Sequence, residues 1–256
     1  DLSKVFVLQG VTGSVKTEVY LRALAHCLER GKRGIVMVPE LSLTPQTLER
    51  FNKRFPNQVA SLHSGLTPGQ QYDQWWRVHA GDAPVVIGSR GAVFAPQKEI
   101  GLIVLDEEHE WTYKQHDSAP RYHARDVAVK IAQLTGAVVI LGSATPEITS
   151  SYKARQGEYR LLKLPQRLDS SGKPIPLSNV RLVDLREELK SGNRDVFSRE
   201  LKEELKRCVG AGNQAILFLN RRGSSSVVQC RTCGFVICCW RCATSYTYHE
   251  PQRLVC

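Results

Sequence analysis

From the amino terminus to about residue 165, short apolar runs alternate with longer stretches in which apolar residues recur every three or four positions. The runs fall at 5–8, 34–38, 58–62, 83–87, 102–105 and 138–141, and the amphipathic stretches at 16–29, 45–51, 68–80, 123–134 and 146–156. Continuously apolar strands interleaved with helices predict an α/β domain, a parallel sheet with helices on both faces, because a strand buried on both sides has no polar face to alternate. Gly31, Gly34 and Gly136 stand where the first and fourth helices should stop. The pattern fades at Pro165, and residues 166–179 open on a segment rich in Pro, Ser, Gly and Lys that reads as a linker. Beyond it a second unit, 180–226, is expected to carry a strand at 180–185, a helix at 198–209 and a fully buried strand at 215–219. Residues 227–256 form a cysteine-rich tail.

Candidate chemistry begins where the first strand meets the first helix. Gly10, Val11, Thr12, Gly13, Ser14, Val15, Lys16 and Thr17 follow the phosphate-loop pattern G-x-x-x-x-G-K-[ST], with one departure. In that pattern the backbone N–H groups face a polyphosphate, the lysine neutralises its charge and the hydroxyl reaches Mg²⁺. Val15 stands where glycine is wanted. A β-branched residue held at positive φ costs about 1–3 kcal/mol, so binding of ATP is expected to be weak or absent.

At the end of the fifth apolar run come Asp106, Glu107, Glu108 and His109. Acids at the carboxyl end of a parallel strand sit where ligands bind. Asp106 is placed to hold Mg²⁺ through water, and Glu107 to polarise an attacking water. Gly142, Ser143, Ala144 and Thr145 leave the sixth run in the same way and fit an element that couples the γ-phosphate to the rest of the domain.

Composition narrows the partner. A formal net charge of +10 and a pI near 9.3 favour an acidic one, with nucleic acid foremost. No run approaches the ~20 apolar residues of a membrane span and no signal-peptide layout opens the chain, so a soluble cytoplasmic protein is expected. Between 111 and 125, Trp111, Tyr113 and Tyr122 interleave with Lys114, Arg121 and Arg125. Rings alternating with cations suit a single strand, whose bases stack and whose phosphates pair; the other reading makes these rings loop anchors. Trp75 and Trp76 fall in an amphipathic run and are expected to pack on the sheet.

Most of the cysteines crowd the tail. Cys230-x-x-Cys233 and Cys239-x-x-Cys242, with Cys256 at the last position, read as Zn²⁺ ligands, and on spacing alone one zinc takes both pairs. Cys238 breaks the spacing, His249 is a weak substitute ligand, and Cys27 and Cys208 sit on helical apolar stripes as core thiols.

Taken in order, the phosphate loop, 38–46, Leu62-His63-Ser64-Gly65, Ile87-Gly88-Ser89-Arg90, the acid run and Gly142-Ser143-Ala144-Thr145 resemble a superfamily 2 helicase. More narrowly the chain is similar to the bacterial primosomal helicases that restart stalled replication forks. That likeness rests on Tyr113-Lys114-Gln115 with 121–126, and on the cysteine cluster after Phe218-Leu219-Asn220-Arg221-Arg222-Gly223. It implies a RecA-like P-loop lobe over 1–165, the start of a second lobe over 180–226, and ATP-dependent 3′-to-5′ DNA unwinding that recognises stalled or branched forks and initiates primosome assembly. It also implies partners in single-stranded and forked DNA, primosome proteins and single-stranded DNA-binding protein, and a bacterial, nucleoid-associated location away from membranes. Thr44, Gln46, Ser64, Gly65 and Arg90 would lie on the strand-binding face, and the 111–125 loop would couple DNA contact to hydrolysis. The same resemblance implies two zincs, each joining one pair here to a downstream pair of which Cys256 is the first half. The second lobe's arginine motif is not found, so the chain reads as a fragment with both metal sites incomplete. A second reading, from another class, is a nucleic-acid-binding zinc scaffold whose ATPase is disabled by Val15. A small-molecule kinase leaves the acid run, the aromatic loop and the cysteine pairs without a task.

Overall fold

The computed structural model describes residues 4–169, 171–218, 228–230, 233–249 and 253–256. The chain divides into two compact units, Asp1–Leu177 and Ser178–Cys256. In the first, the elements run β1 (Val5–Gly10), α1 (Lys16–Glu29), β2 (Arg33–Met37), α2 (Pro45–Arg54), β3 (Val59–Leu62), α3 (Pro68–Ala80), β4 (Val85–Gly88), β5 (Ile100–Asp106), α4 (Ala124–Thr135), β6 (Val138–Ser143), α5 (Ile148–Arg155) and β7 (Arg160–Leu164). These strands form one sheet in the order β3-β4-β2-β5-β6-β1-β7, every pair parallel.

Both faces of the sheet are buried. Ile35, Met37, Ile103 and Val139 face one core, where Ala124, Ala128 and Ala132 let α4 approach closely; Leu8, Val36, Val104 and Ile87 face the other, against Tyr20, Leu24 and Phe51. This double burial is why the strands read as continuous apolar runs. Each expected strand and helix of 1–165 forms, and α1 has the bounds its periodicity gives. The seventh strand, β7, is new. It is an edge partner of β1 whose residues are mostly exposed, so it leaves no apolar run to read.

Residues 166–179 begin with a short antiparallel ribbon, β8 (Arg167–Leu168) with β9 (Pro174–Ile175), instead of opening as free linker. Its start is tied to the phosphate loop: Val11 N donates to Leu164 O and Leu168 N to Gly13 O, both at 3.3 Å.

The second unit contains α6 (Leu185–Lys190), α7 (Arg199–Gly210), β10 (Thr247–His249) and β11 (Arg253–Val255). The helix expected at 198–209 is α7, capped by Ser198, whose Oγ accepts from Leu201 N at 3.1 Å. No strand forms at 180–185. Asp184 instead accepts from Arg186 N at 2.9 Å and caps α6, a local bond that competes with an extended chain. Residues 215–218 are no buried strand: they have no regular structure, and Ile216 and Phe218 are 94% and 86% exposed. Leu219, the turn 220–223 and the expected boundary at 226/227 lie outside the described residues. Cys27 is buried as expected, whereas Cys208 is only half-buried, its thiol donating to Gln214 O. Among the described residues no helix is long and apolar enough to cross a membrane.

Candidate functional site

The phosphate loop leaves the carboxyl end of β1 through two left-handed residues, Gly13 at φ 79° and Val15 at φ 61°. Val15 is the N-cap of α1 and offers no side-chain acceptor. A β-branched residue is a poor occupant of this conformation. Ser14 Oγ is buried and has no hydrogen-bond partner among the described residues, an orphan donor of the kind an anion would satisfy. Lys16 Nζ donates to Gly10 O at 3.1 Å and lies 3.6 Å from Glu107 Oε1. Lysine, orphan hydroxyl and helix N-terminus together suit a polyphosphate, and the neighbouring Thr17 and Asp106 supply the hard oxygens that Mg²⁺ takes.

Asp106 ends β5 and is held by two buried tyrosines. The Tyr20 phenol, on α1, donates to Asp106 Oδ1 at 2.9 Å; the Tyr113 phenol donates to the main-chain oxygen of Asp106 at 2.7 Å. Tyr20 fits because Asp106's register partner on β6 is Gly142, where a Cβ would lie 1.7 Å from the phenol oxygen. Burial pushes the Asp106 carboxyl above its ordinary range, the hydrogen bond from Tyr20 opposes that rise, Glu107's charge adds to it and Lys16's opposes it. Glu107 itself is left-handed at φ 46°, strain at a position that chemistry would use.

The acid run and the turn after β6 meet. Ser143 Oγ accepts from Thr145 N at 2.9 Å and lies within hydrogen-bond distance of His109 Nδ1, at 2.7 Å. His109 Nδ1 stands 3.7 Å from Glu107 Oε2. Glu108 turns inward and is fully buried, accepting from Glu147 N at 2.8 Å, Ser150 Oγ at 3.0 Å and Arg125 Nη1 at 3.1 Å.

Those contacts reassign two residues of the expected strand-binding set. Arg125 belongs to the Glu108 network and also pairs with Glu147, so its guanidinium is spent on the domain. Tyr113, at 1% exposure, has no ring face left for a base and is the loop anchor of the alternative reading. Trp111, Tyr122, Ser64 and Arg90 line a groove of about 750 Å³ beyond the carboxyl ends of β2, β3 and β4. Gly65, Lys114 and Arg121 adjoin these residues in sequence but do not line it. Arg90 Nη1 donates to Thr112 O at 3.1 Å and Lys114 O at 2.9 Å, pinning the loop on either side of Tyr113. Thr44 and Gln46 line a different cavity, about 300 Å³, with Thr17, Tyr20 and Asp106.

Trp75 and Trp76 do not pack on the sheet. α3 is seated by buried Val78, by Gln74 Oε1 accepting from Ser61 N at 3.3 Å, and by Arg77 donating to Val59 O and Asn57 O. The two indoles are left 41% and 45% exposed. Tyr20 and Glu108 were the residues that sequence reasoning missed as site components. Tyr20 sat unmarked in an apolar stripe, and only the fold shows which acid of three turns inward.

In the second unit the sulfur atoms of Cys239, Cys242 and Cys256 lie within 4.8 Å of one another. The backbone N–H groups of Arg241 and Cys242 pull the Cys239 thiol down to about 6, which favours the thiolate a metal needs. Three thiols of a tetrahedral set are therefore in place for Zn²⁺. Among the described residues Cys230 and Cys233 are exposed and are not part of this group.

Comparison with known proteins gives these arrangements a context. Replication restart protein PriA of Bacillus subtilis (strain 168) is 51% identical over 257 residues, covering 100% of this chain and 31% of the relative. Replication restart protein PriA of Synechocystis is 46% identical, covering 96% of this chain and 30% of the relative. The chain thus spans about a third of the length of the curated relatives it matches. Among solved structures, RecG bound to a three-way DNA junction matches 62% of this chain and 20% of that one at 26% identity and a TM-score of 0.45, a likeness too loose to build on. Residues 2–153 match the family model described as DEAD/DEAH box helicase, which takes in the phosphate loop, the acid run and the turn after β6, and the chain belongs to that family.

Proposed function

We propose that this chain is the first motor lobe, with the opening of the second, of an ATP-dependent DNA helicase that moves 3′ to 5′, recognises stalled or branched replication forks and initiates primosome assembly. One observation carries the reading: a phosphate-loop lysine, Lys16, stands 3.6 Å from an acid, Glu107, at the carboxyl edge of a parallel sheet. Fork recognition and the partners, namely primosome proteins and single-stranded DNA-binding protein, are supported by likeness to relatives named for replication restart.

In this reading the N–H groups from Gly10 to Thr17 and the Lys16 ammonium hold the nucleotide phosphates, and Thr17 with Asp106 holds Mg²⁺. When bound, the ion supplies charge neutralisation on the transferred phosphoryl group. Glu107 takes the proton of the attacking water, and its neighbours Lys16, at 3.6 Å, and His109, at 3.7 Å, hold the carboxylate in position. Tyr20 spends one oxygen of Asp106, leaving the other for the ion's water shell. Ser143, touching His109, couples the reacting edge to the Gly142–Thr145 turn. Trp111, Lys114, Arg121, Tyr122, Ser64, Gly65 and Arg90 take the strand. Cys239, Cys242 and Cys256 would hold one Zn²⁺, and Cys230 and Cys233 would serve a second site.

ATP turnover stimulated by single-stranded or forked DNA tests the motor. With Val15→Gly in place, absence of stimulation in the full-length protein rejects it. The left-handed Val15 favours the second reading, a zinc scaffold with a disabled ATPase. Calorimetric titration with Mg-ATP separates the two: micromolar affinity in this chain, without gain on Val15→Gly, removes the disabled-site reading.

A further inference from the structure

We propose that Arg167, on the ribbon that follows β7, is a phosphate-binding residue of the nucleotide site, its guanidinium reaching the polyphosphate chain across Gly13. The inference rests on the nucleotide reading of the phosphate loop. It adds a second cation to that site, from a segment outside the loop's own pattern.

The ribbon sets Arg167 against the loop. β7 runs beside β1 with Leu164 opposite Gly10, and Leu168 N donates to Gly13 O at 3.3 Å, so the backbone is pinned to the loop on both sides of Arg167. The turn of the ribbon is closed by Asp169, whose Oδ1 accepts from Ser171 N at 2.8 Å and Lys173 N at 2.9 Å, and Arg167 pairs across it with Ile175. The arginine side chain then lies where Gly13 has none. A Cβ built on Gly13 would stand 3.2 Å from Arg167 Nε and 3.8 Å from its Nη2. Gly13, at φ 79°, both makes the turn and leaves that space open beside the guanidinium.

The guanidinium lacks the acceptor it needs. Arg167 is half-buried; its Nε is shut off from water and makes no hydrogen bond among the described residues, and no carboxylate among them pairs with it. A buried donor on a charged group is costly without an acceptor, so such a group points to a ligand that completes it. Ser14 Oγ, next to Gly13, is orphaned in the same way at 3% exposure. Two unpartnered donors thus flank the N-terminus of α1, and both call for an anion. The Nε and Nη2 edge that faces Gly13 is the fork that takes two oxygens of one phosphate side by side. Charge argues the same way. Lys16 already divides its ammonium between Gly10 O and Glu107, and Asp106 adds a further carboxylate, so a polyphosphate at this edge needs a second cation.

The test is calorimetric titration of Mg-tripolyphosphate, and separately of Mg-ATP, into the full chain carrying Val15→Gly, so that the strained residue does not mask the effect. Arg167→Met keeps the apolar stem against the loop and removes the charge. It is expected to weaken both ligands by a similar factor, about 10- to 100-fold, the range of hydrogen bonds to a charged group. Arg167→Lys, with the charge but no fork, falls between, and Lys173→Ala, which removes an exposed cation of the same ribbon, changes either affinity less than about twofold. Loss of an unpaired buried donor should leave the melting temperature without ligand unchanged or raised. A fall of several degrees in Arg167→Met assigns the residue to holding the loop and overturns the proposal. Parent affinity in Arg167→Met overturns it and leaves the phosphate-loop reading standing. A loss confined to Mg-ATP moves Arg167 to the sugar or base and overturns it too. Absence of binding of either ligand to the Val15→Gly parent sinks the nucleotide reading together with the proposal.

Discussion

The nucleotide edge of the first unit and the cysteine cluster of the second bring reactive groups together by opposite means. At the first, Asp106 is tied to a core by Tyr20 and Tyr113, and the α4–α5 frame behind it by buried Glu108. At the second, three thiols converge although, among the described residues of 178–256, only Ser198 and Cys239 are buried. A site backed by packing keeps its geometry empty. A site without a core depends on the ion to supply the energy of order.

Metal removal should expose that contrast most strongly. A complete structural zinc site contributes about 10–16 kcal/mol, so a chelator is expected to erase amide protection at Cys239 and Tyr246 while strands β1 and β5 serve as the protected reference. Protection that survives chelation breaks the comparison. Next in size is Tyr20→Phe, which removes a hydrogen bond to a largely buried carboxylate and should cost about 1.5–3 kcal/mol in urea denaturation. A loss below ~0.5 kcal/mol would mean that the nucleotide edge is not held by its core as described.

Val15→Gly runs the other way. Relief of about 1–3 kcal/mol of backbone strain exceeds the ~0.4–1 kcal/mol that glycine's freer unfolded chain takes back, so the melting temperature should rise by a few degrees. A fall would show that the loop does not strain the residue. Smallest is a pH effect at the start of α4, where neutral His123 Nδ1 accepts from Arg125 N at 3.2 Å. Burial, then the charge of Arg125, holds its pKa below the ordinary imidazole value, so the unfolded chain binds more protons. The contribution is complete above about pH 6.5 and is lost as pH falls through the lowered value. Stability should drop on acidification, and His123→Asn, which keeps a capping acceptor, should flatten the curve.

Much of this was legible in the sequence where the physics is local. The phosphate loop, α1 and the doubly buried strands follow from spacing and periodicity alone. What was not legible depends on partners distant in the chain. Arg125 reads as a strand-binding cation until Glu108 and Glu147 close on it. Tyr113 reads as a stacking ring until the end of β5 accepts its proton. Trp75 reads as core because α3 is amphipathic, yet Val78, Gln74 and Arg77 already do that seating. At 215–218 the apolar run is real but has no cover among the described residues, so composition alone misassigns it.

The contact between Tyr20 and Gly142 also has an evolutionary meaning. The phenol occupies the volume that any side chain at 142 would need, so alanine there is excluded while residue 20 is tyrosine. Neither position can drift alone, because each first step either collides with its neighbour or strips Asp106 of its donor. Two distant segments of sequence are thereby bound into one heritable unit, and a lineage can abandon the pair only by changing both.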